Sequence, residues 1–302
     1  MDAGASAKGA AVGFVGAGRM GRPMIRRLAA AGHTVTVLAS SDERRRELDA
    51  EGLAATAEVR DLGAAEAVVV CVLTDAQLRE VCLDGGLLPA MAPGSLLILH
   101  TACSPATVER IAERAAPYGI DVVDTGVSGG PRDVEAGRLT LMVGGGEDAV
   151  ERARPLLEAY GDPLVPVGRL GNGQRVKLLD NAVFAANIGL LAQAAAVGER
   201  LGVPEPTLLR ALSHGSGASC AVAGVARAGA TAGFAAAEGE FLGKDLAVVR
   251  RVAAELDVDL GALADAHRVL EGLLRPEERS DRGVRTARPA QPEVPSQSEV
   301  PS

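Results

Sequence analysis

Two side chains that suit proton transfer and substrate orientation are four residues apart, at Lys177 and Asn181. Residues 174–201 lack proline and consist mostly of good helix formers, so both side chains project from one face of a predicted helix. A desolvated lysine can exchange a proton with a hydroxyl or carbonyl group, whereas arginine stays protonated in proteins. Lys177 is therefore a candidate general acid/base, and the alternative is an ordinary lysine near a helix start.

Lysine is rare in this chain, which makes its positions informative. Of the 31 basic residues, only Lys8, Lys177 and Lys244 are lysines, and the others are arginines. Genome bias explains the abundance of arginine, alanine and glycine. We expect lysine to remain where an ammonium group is needed, which favours functional roles for Lys177 and Lys244.

A glycine-rich turn follows the first predicted strand, residues 11–15, and begins the first predicted helix. Its residues match the pattern G-x-G-x-x-G: Gly16, Ala17, Gly18, Arg19, Met20 and Gly21. In this pattern the first glycine permits a tight turn, the second admits a pyrophosphate, and the third lets helix and strand pack closely. The free N–H groups of the helix then face the phosphates. We predict a dinucleotide site here, and the alternative is a glycine-rich turn without a ligand.

The end of the second predicted strand, residues 34–38, indicates which nicotinamide cofactor fits. NAD binding favours an acidic residue there for the ribose 2′-hydroxyl, but Ala39 and its successor are not acidic. Hydroxyl and guanidinium groups that suit a 2′-phosphate follow instead: Ser40, Ser41, Arg44 and Arg45. NADP is therefore favoured, while Asp42 keeps NAD as the alternative.

A third candidate segment follows the predicted strand at residues 120–123. The backbone N–H groups of Ser128, Gly129 and Gly130, with the Ser128 hydroxyl, suit a small anion such as a substrate carboxylate. The alternative is a flexible turn.

Four blocks of sequence occur in the order found in one known enzyme family. They are residues 13–24, residues 124–130 with their continuation at 137–145, residues 171–181, and Lys244-Asp245. With these blocks, which together span about residues 11–272, the chain resembles the β-hydroxyacid dehydrogenases. That family includes 3-hydroxyisobutyrate dehydrogenase and 2-hydroxy-3-oxopropionate reductase.

The resemblance implies roles for individual residues. Lys177 would be the general acid/base with Asn181 as its partner, and the Ser128 turn would bind substrate. Lys244 would lie in the segment that closes over the nicotinamide, and its alternative is a solvent-facing salt bridge. Further cofactor contacts are implied for Leu73, Thr74 and Thr101.

Three departures from the family pattern concern the site. Asp180 stands where an asparagine is commoner, and if it meets Lys177 it would keep the lysine charged and favour reduction. Ala102 replaces a threonine, and Thr125-Gly126 replaces a commoner Ala-Pro pair. The fold is unaffected by these changes, but the substrate is left open.

The elements that must position these residues follow a strand-helix alternation over residues 11–168. Predicted strands lie at residues 11–15, 34–38, 67–73, 95–99, 120–123 and 140–143, and predicted helices at 19–31, 42–50, 75–82 and 105–115. Further predicted helices lie at residues 174–201, 206–213, 238–256 and 260–274. The prediction is an α/β chain: a Rossmann-type doubly wound parallel sheet followed by an all-α domain.

The predicted organisation has four parts. Residues 1–10 form a disordered N-terminus, 11–168 the NAD(P)-binding domain, 169–274 the helical domain with its long interdomain helix, and 275–302 a proline-containing disordered tail.

The composition of the chain limits the kinds of partner that we expect it to bind. A net charge of −8 argues against nucleic acid or an anionic membrane as the main partner. Four dispersed cysteines without a predicted signal peptide indicate free thiols and a soluble, cytoplasmic protein. The histidines show no metal-ligand spacing, so no metal is expected. The long apolar helix favours a homodimer or homotetramer.

Two other functions compete with a dehydrogenase acting on a small anionic hydroxyacid. An imine reductase shares the architecture, but such enzymes usually carry aspartate or tyrosine in place of the lysine. A non-catalytic NADP-binding scaffold is the third possibility, and the presence of Lys177 argues against it.

Overall fold

The computed structural model describes residues 9–274. Lys8, most of the predicted N-terminal segment and the predicted tail at 275–302 lie outside the described residues. The strands are β1 (Ala11–Val15), β2 (Thr34–Leu38), β3 (Ala54–Thr56), β4 (Ala67–Val70), β5 (Leu96–Leu99), β6 (Asp121–Ser128), β7 (Leu139–Gly144) and β8 (Gly161–Gly168).

Helices alternate with these strands and then continue alone. Those between strands are α1 (Gly21–Ala30), α2 (Asp42–Ala50), α3 (Asp75–Arg79), α4 (Leu87–Ala90), α5 (Pro105–Ala115), α6 (Pro131–Glu135) and α7 (Glu147–Leu157). Those after the last strand are α8 (Asn172–Arg200), α9 (Glu205–Leu212), α10 (Cys220–Ala228), α11 (Thr231–Glu255) and α12 (Ala262–Leu274).

The strands form one sheet in the order β3-β2-β1-β4-β5-β6-β7-β8. Paired neighbours are parallel except β6 and β7, which are antiparallel. The segment between Ser128 and Leu139 is shorter than the dozen or so residues that a parallel crossover needs, so the chain turns back there. The predicted doubly wound α/β sheet is confirmed, with one antiparallel pair that the sequence did not indicate.

The central strands explain why the sheet is stable. Every residue of β4 (sequence AVVV) and β5 (LLIL) is buried, because helices cover both faces of the sheet. The predicted strand at 67–73 ends earlier, at Val70, and Leu73 is 55% exposed. The carboxyl ends of β1, β4, β5 and β6 therefore meet at one edge, where ligands of such sheets bind.

Helix α8 connects this sheet to the helices that follow it. Helix α8 has the length and hydropathy of a membrane span, but half of its apolar segment is buried inside the protein. It packs on β6 and β7 near its start and on α10, α11 and α12 further along. Consequently α8 carries its early residues, Lys177 among them, directly over the end of the sheet.

Candidate active site

The glycine-rich turn has the geometry that a bound pyrophosphate needs. Gly16 has φ of 105°, and a side chain there would collide with the Cys71 carbonyl at the end of β4. Gly21 packs against the Gly16 carbonyl, so helix and turn touch. A Cβ on Gly18 would meet no atom within 4 Å, which leaves the space that a phosphate group requires. Met20, the N-cap of α1, offers no capping side chain.

The end of β2 presents a cation rather than an acid. The Arg45 guanidinium folds back and donates to the Ala39 carbonyl at 2.7 Å and to the Ser40 carbonyl at 3.1 Å. It also pairs with Asp42, which is thereby engaged. The Ser41 hydroxyl caps α2 by accepting from the Arg44 N–H at 3.2 Å. Arg45 therefore lies at the end of β2, where its guanidinium is bonded to two carbonyls and one carboxylate.

The predicted cofactor contacts beyond β4 differ in what they offer. The Leu73 carbonyl accepts a hydrogen bond from Lys244 Nζ at 2.9 Å, and Thr74 caps α3. Thr101 is 2% exposed, and its hydroxyl bonds both the Val72 N–H and the Val72 carbonyl at 3.1 Å. Thr101 therefore braces the turn after β4, and its hydroxyl is engaged by protein.

A second set of contacts joins α11 to the glycine-rich turn. The Arg19 guanidinium lies 4.6 Å from the ring centroid of Phe241, and it approaches Glu238 at 4.0 Å. With the Lys244 hydrogen bond, these contacts bring α11 over the carboxyl edge of the sheet. Sequence reasoning missed Phe241 and Glu238, because only the fold brings them to residue 19.

Asp124, at mid-strand in β6, fixes the start of α8. Its carboxylate is fully buried and accepts from the Gly171 N–H and the Gln174 N–H, each at 2.7 Å. Burial raises the pKa of Asp124 to about 6, although these two N–H donors oppose the rise. The sequence placed Asp124 inside a family block but gave no role to it.

Lys177 is held close to the sheet by this anchorage. A Cβ on Gly126 would lie 2.6 Å from the Lys177 Cβ, so only glycine lets β6 and α8 approach this closely. The Lys177 side chain is 14% exposed, and Nζ lies 2.9 Å from Asp180 Oδ2. Asn181 is 8% exposed on the same helix. The structure therefore brings Lys177 and Asp180 into contact, which the sequence analysis had stated only as a condition.

Asp245 of α11 adds a second carboxyl group to this region. Burial raises its pKa, while the ammonium groups of Lys244 and Lys177 oppose that rise. Charges from α8 and α11 therefore face one another across the site.

The Ser128 turn differs from the predicted anion nest in one donor. Gly129 has φ of 126°, a conformation that favours glycine. The Gly130 N–H donates to Asp133 Oδ2 at 2.8 Å, since Asp133 caps α6. That N–H is engaged, so the prediction that Gly130 contributes a free donor is wrong.

His100, at the end of β5, is a buried residue that bonds to another buried side chain. Burial lowers its pKa to about 4, and Nε2 lies 2.8 Å from the Tyr160 hydroxyl. His100 is therefore part of the buried core, where it is 4% exposed.

Known proteins are similar to this chain over most of its length. Residues 11–168 match the family model for the NAD binding domain of 6-phosphogluconate dehydrogenase. Residues 171–286 match the model described as NAD-binding of NADP-dependent 3-hydroxyisobutyrate dehydrogenase. The 2-(hydroxymethyl)glutarate dehydrogenase of Eubacterium barkeri is 31% identical over 268 residues, 86% of this chain and 88% of that enzyme. The chain belongs to the β-hydroxyacid dehydrogenase family.

Solved structures agree with membership of the β-hydroxyacid dehydrogenases. The Mycobacterium tuberculosis 3-hydroxyisobutyrate dehydrogenase, determined with L-serine, matches with a TM-score of 0.77 and 26% identity over 87% of this chain and 93% of that one. An imine reductase from Pseudomonas sp. has a TM-score of 0.60 at 20% identity over 87% and 93%, which shows the fold alone. This β-hydroxyacid dehydrogenase is an NAD(P)-dependent oxidoreductase, as the sequence predicts.

Proposed function

We propose that this enzyme transfers a hydride between NADP and a small β-hydroxyacid or its semialdehyde, with Lys177 as general acid/base. The observation that carries the proposal is the position of Lys177, held against β6 by Gly126 and Asp124. Gly126 and Ser128 are two residues apart in β6 and so share a face of the strand. A substrate bound at the Ser128 turn would thus lie on the side of the sheet that Lys177 covers.

The residues divide the chemistry among them. The nicotinamide, when bound, supplies or accepts the hydride. In reduction, the Lys177 ammonium donates a proton to the carbonyl oxygen as it becomes a hydroxyl. In oxidation, the neutral amine accepts the hydroxyl proton. Asn181 orients the substrate, and the Ser128 hydroxyl with the Gly129 backbone holds its carboxylate in near-attack geometry.

A substrate screen distinguishes hydroxyacid dehydrogenase activity from imine reductase activity. We expect NADPH to be oxidised in the presence of small semialdehydes and not in the presence of cyclic imines. Turnover of imines alone would transfer the proposal to imine reduction. Tight NADPH binding without turnover of either class would support the scaffold instead.

We propose NADP rather than NAD because Arg45 covers the end of β2. Arg45→Ala should raise KM for NADPH at least about tenfold, the loss of one charge-assisted contact to phosphate, and leave KM for NADH nearly unchanged. Steady-state kinetics with both cofactors measure this. Arg46→Ala, one residue further along α2, is the matched control. An equal rise for both cofactors would contradict the assignment.

We also propose that a second copy of the chain covers an apolar face of α8. Val183, Leu190 and Val197 recur every seven residues, so they share one face, and they are 48–59% exposed. Leu179 and Leu201 extend the same stripe and are 62% and 76% exposed. The second copy is the proposed occupant because a heptad stripe on one helix can pair with its own symmetry copy.

Leu190→Glu is expected to convert the assembly to monomers, because two buried carboxylates would face each other across the interface. Light scattering coupled to gel filtration measures the mass, and circular dichroism verifies the fold. Val165→Glu, at an exposed position of β8, is the matched control and should keep the native mass. A native protein that is monomeric at all concentrations would overturn the proposal.

We place the enzyme in the cytoplasm on the chemistry of its thiols. All four cysteines are free, and burial raises the pKa of the Cys71 and Cys82 thiols to about 12. Buried free thiols of this kind suit a reducing compartment.

A further inference from the structure

Asp180 pairs with Lys177 and is the more exposed side chain of the two. Its Oδ2 is 2.9 Å from Lys177 Nζ, within hydrogen-bond distance. The Lys177 side chain is 14% exposed, whereas that of Asp180 is 36% exposed. The carboxylate that contacts the largely buried ammonium group is thus itself accessible to water.

The fold holds this pair in place. The Lys177 stem is confined by Gly126 on β6, and the start of α8 is fixed by the two hydrogen bonds to Asp124. Residues three apart on a helix are neighbours, so Asp180 stays beside the ammonium group. An unconstrained surface pair would sample many geometries, but this one has a fixed lysine.

The charges around the pair come from two helices and one strand. On α11, Lys244 and Asp245 face the region, and burial raises the Asp245 pKa with a smaller contribution from Asp180. On β6, the Asp124 carboxylate is occupied by the backbone of α8. Asp245 and Asp180 are both partly exposed, but Asp180 is the acid that lies within hydrogen-bond distance of Lys177 Nζ.

We propose that Asp180 relays protons between Lys177 and solvent. The proposal rests on the proposed role of Lys177 as general acid/base. A substrate and cofactor that fill the cleft must cover what remains exposed of the lysine. Asp180, on the outer side of the pair, then provides the route by which the lysine regains or releases its proton.

The proton balance of one reductive turnover is complete without another reactant. The Lys177 ammonium gives its proton to the substrate oxygen and becomes a neutral amine. A hydronium ion gives a proton to the Asp180 carboxylate and leaves a water molecule, and the resulting carboxylic acid passes the proton to Nζ. The ammonium and the carboxylate are thereby restored. Oxidation follows the same steps in reverse.

A nearby ion pair supplies a matched control. Arg175, two residues before Lys177 on α8, pairs with Glu109 of α5 at 2.7 Å. Glu109 has a similar exposure, 41%, but it touches neither Lys177 nor the Ser128 turn in the described contacts. Glu109→Gln therefore removes a carboxylate that is paired with the same helix but does not interrupt the proposed relay.

The test compares Asp180→Asn, Asp180→Ala and Glu109→Gln in the full chain with the semialdehyde that turns over fastest. Asp180→Asn should lower kcat at least about tenfold with little change in KM, because proton transfer becomes limiting. The solvent deuterium isotope effect on kcat should rise for this variant. Formate, a small carboxylate, should restore part of the turnover of Asp180→Ala. Glu109→Gln should change none of these readings.

The outcomes distinguish the Asp180 relay from the general acid/base role of Lys177 on which it rests. If Asp180→Asn keeps native kcat and isotope effect while Lys177→Ala loses turnover, the relay is overturned and the role of Lys177 stands. If Lys177→Ala keeps turnover, both proposals fail. A fall in kcat with neither formate rescue nor an increased isotope effect would mean that Asp180 only holds the lysine in position.

Discussion

Lys177→Arg is expected to lower kcat by about a thousandfold or more, within the range that general acid/base catalysis contributes. Arginine preserves the positive charge and can still pair with Asp180 on the same helix. It cannot give up a proton near neutral pH, so the proton transfer step fails while the electrostatics persist. Steady-state turnover with the preferred semialdehyde measures the loss.

Cofactor binding provides the internal check for this variant. Lys177 lies on α8, apart from the glycine-rich turn and from the end of β2, so the Kd for NADPH should change less than about threefold, within the error of a surface substitution. Lys8→Arg makes the same exchange at a lysine that lies outside the described residues. This control should leave turnover native. Turnover of Lys177→Arg within a few fold of native would show that the proton comes from elsewhere.

Asp124→Asn is the second change with a large expected effect. The asparagine oxygen can accept from only one of the Gly171 and Gln174 N–H groups, and its amide would face the other donor. One buried N–H left without a partner costs about 1–3 kcal/mol of unfolding free energy. A shift of α8 by about an ångström would displace Lys177 and lower kcat about a hundredfold. Urea unfolding and turnover measure the two effects.

The stability difference between the native protein and Asp124→Asn should depend on pH, because burial raises the Asp124 pKa from its ordinary value of 3.8 to about 6. Because the folded chain binds this proton more tightly, the stabilisation is fully present below pH 3.8 and is lost as the pH rises through about 6. The gap in unfolding free energy between native protein and Asp124→Asn should therefore widen by up to about 3 kcal/mol from pH 7 to pH 4. The His100 contribution is common to both proteins and cancels. A constant or narrowing gap would contradict the assignment.

Local signals were sufficient for the elements that carry the cofactor. The predicted bounds of β1, β2 and α2 coincide with those in the structure, because a glycine, a serine or a charged residue follows each of them within two positions. The edge strands β3 and β8 were not predicted. β3 has only three residues, and β8 contains two prolines and mostly exposed positions, so neither has the apolar pattern of a buried strand.

The same distinction between local patterns and tertiary contacts applies to the residues of the site. Lys177, Asn181 and the glycine-rich turn were found because helical spacing and the strand-turn-helix context are local properties. Asp124 was missed as an anchor because its partners lie 47 and 50 residues away, at the start of α8. The engaged Gly130 N–H was missed because its acceptor depends on how α6 begins. Contacts of this kind follow from tertiary packing, which residue spacing does not encode.

The central claim is hydride transfer at the Lys177 site to or from a small β-hydroxyacid. The most direct measurement follows the absorbance of the reduced nicotinamide while a panel of 3-hydroxyacids and semialdehydes is assayed with NAD and NADP in parallel. We expect hydride transfer with at least one member of the panel, faster with NADP than with NAD, and lost in Lys177→Arg. No transfer with any member and either cofactor, from folded protein that binds NADPH, would contradict the account.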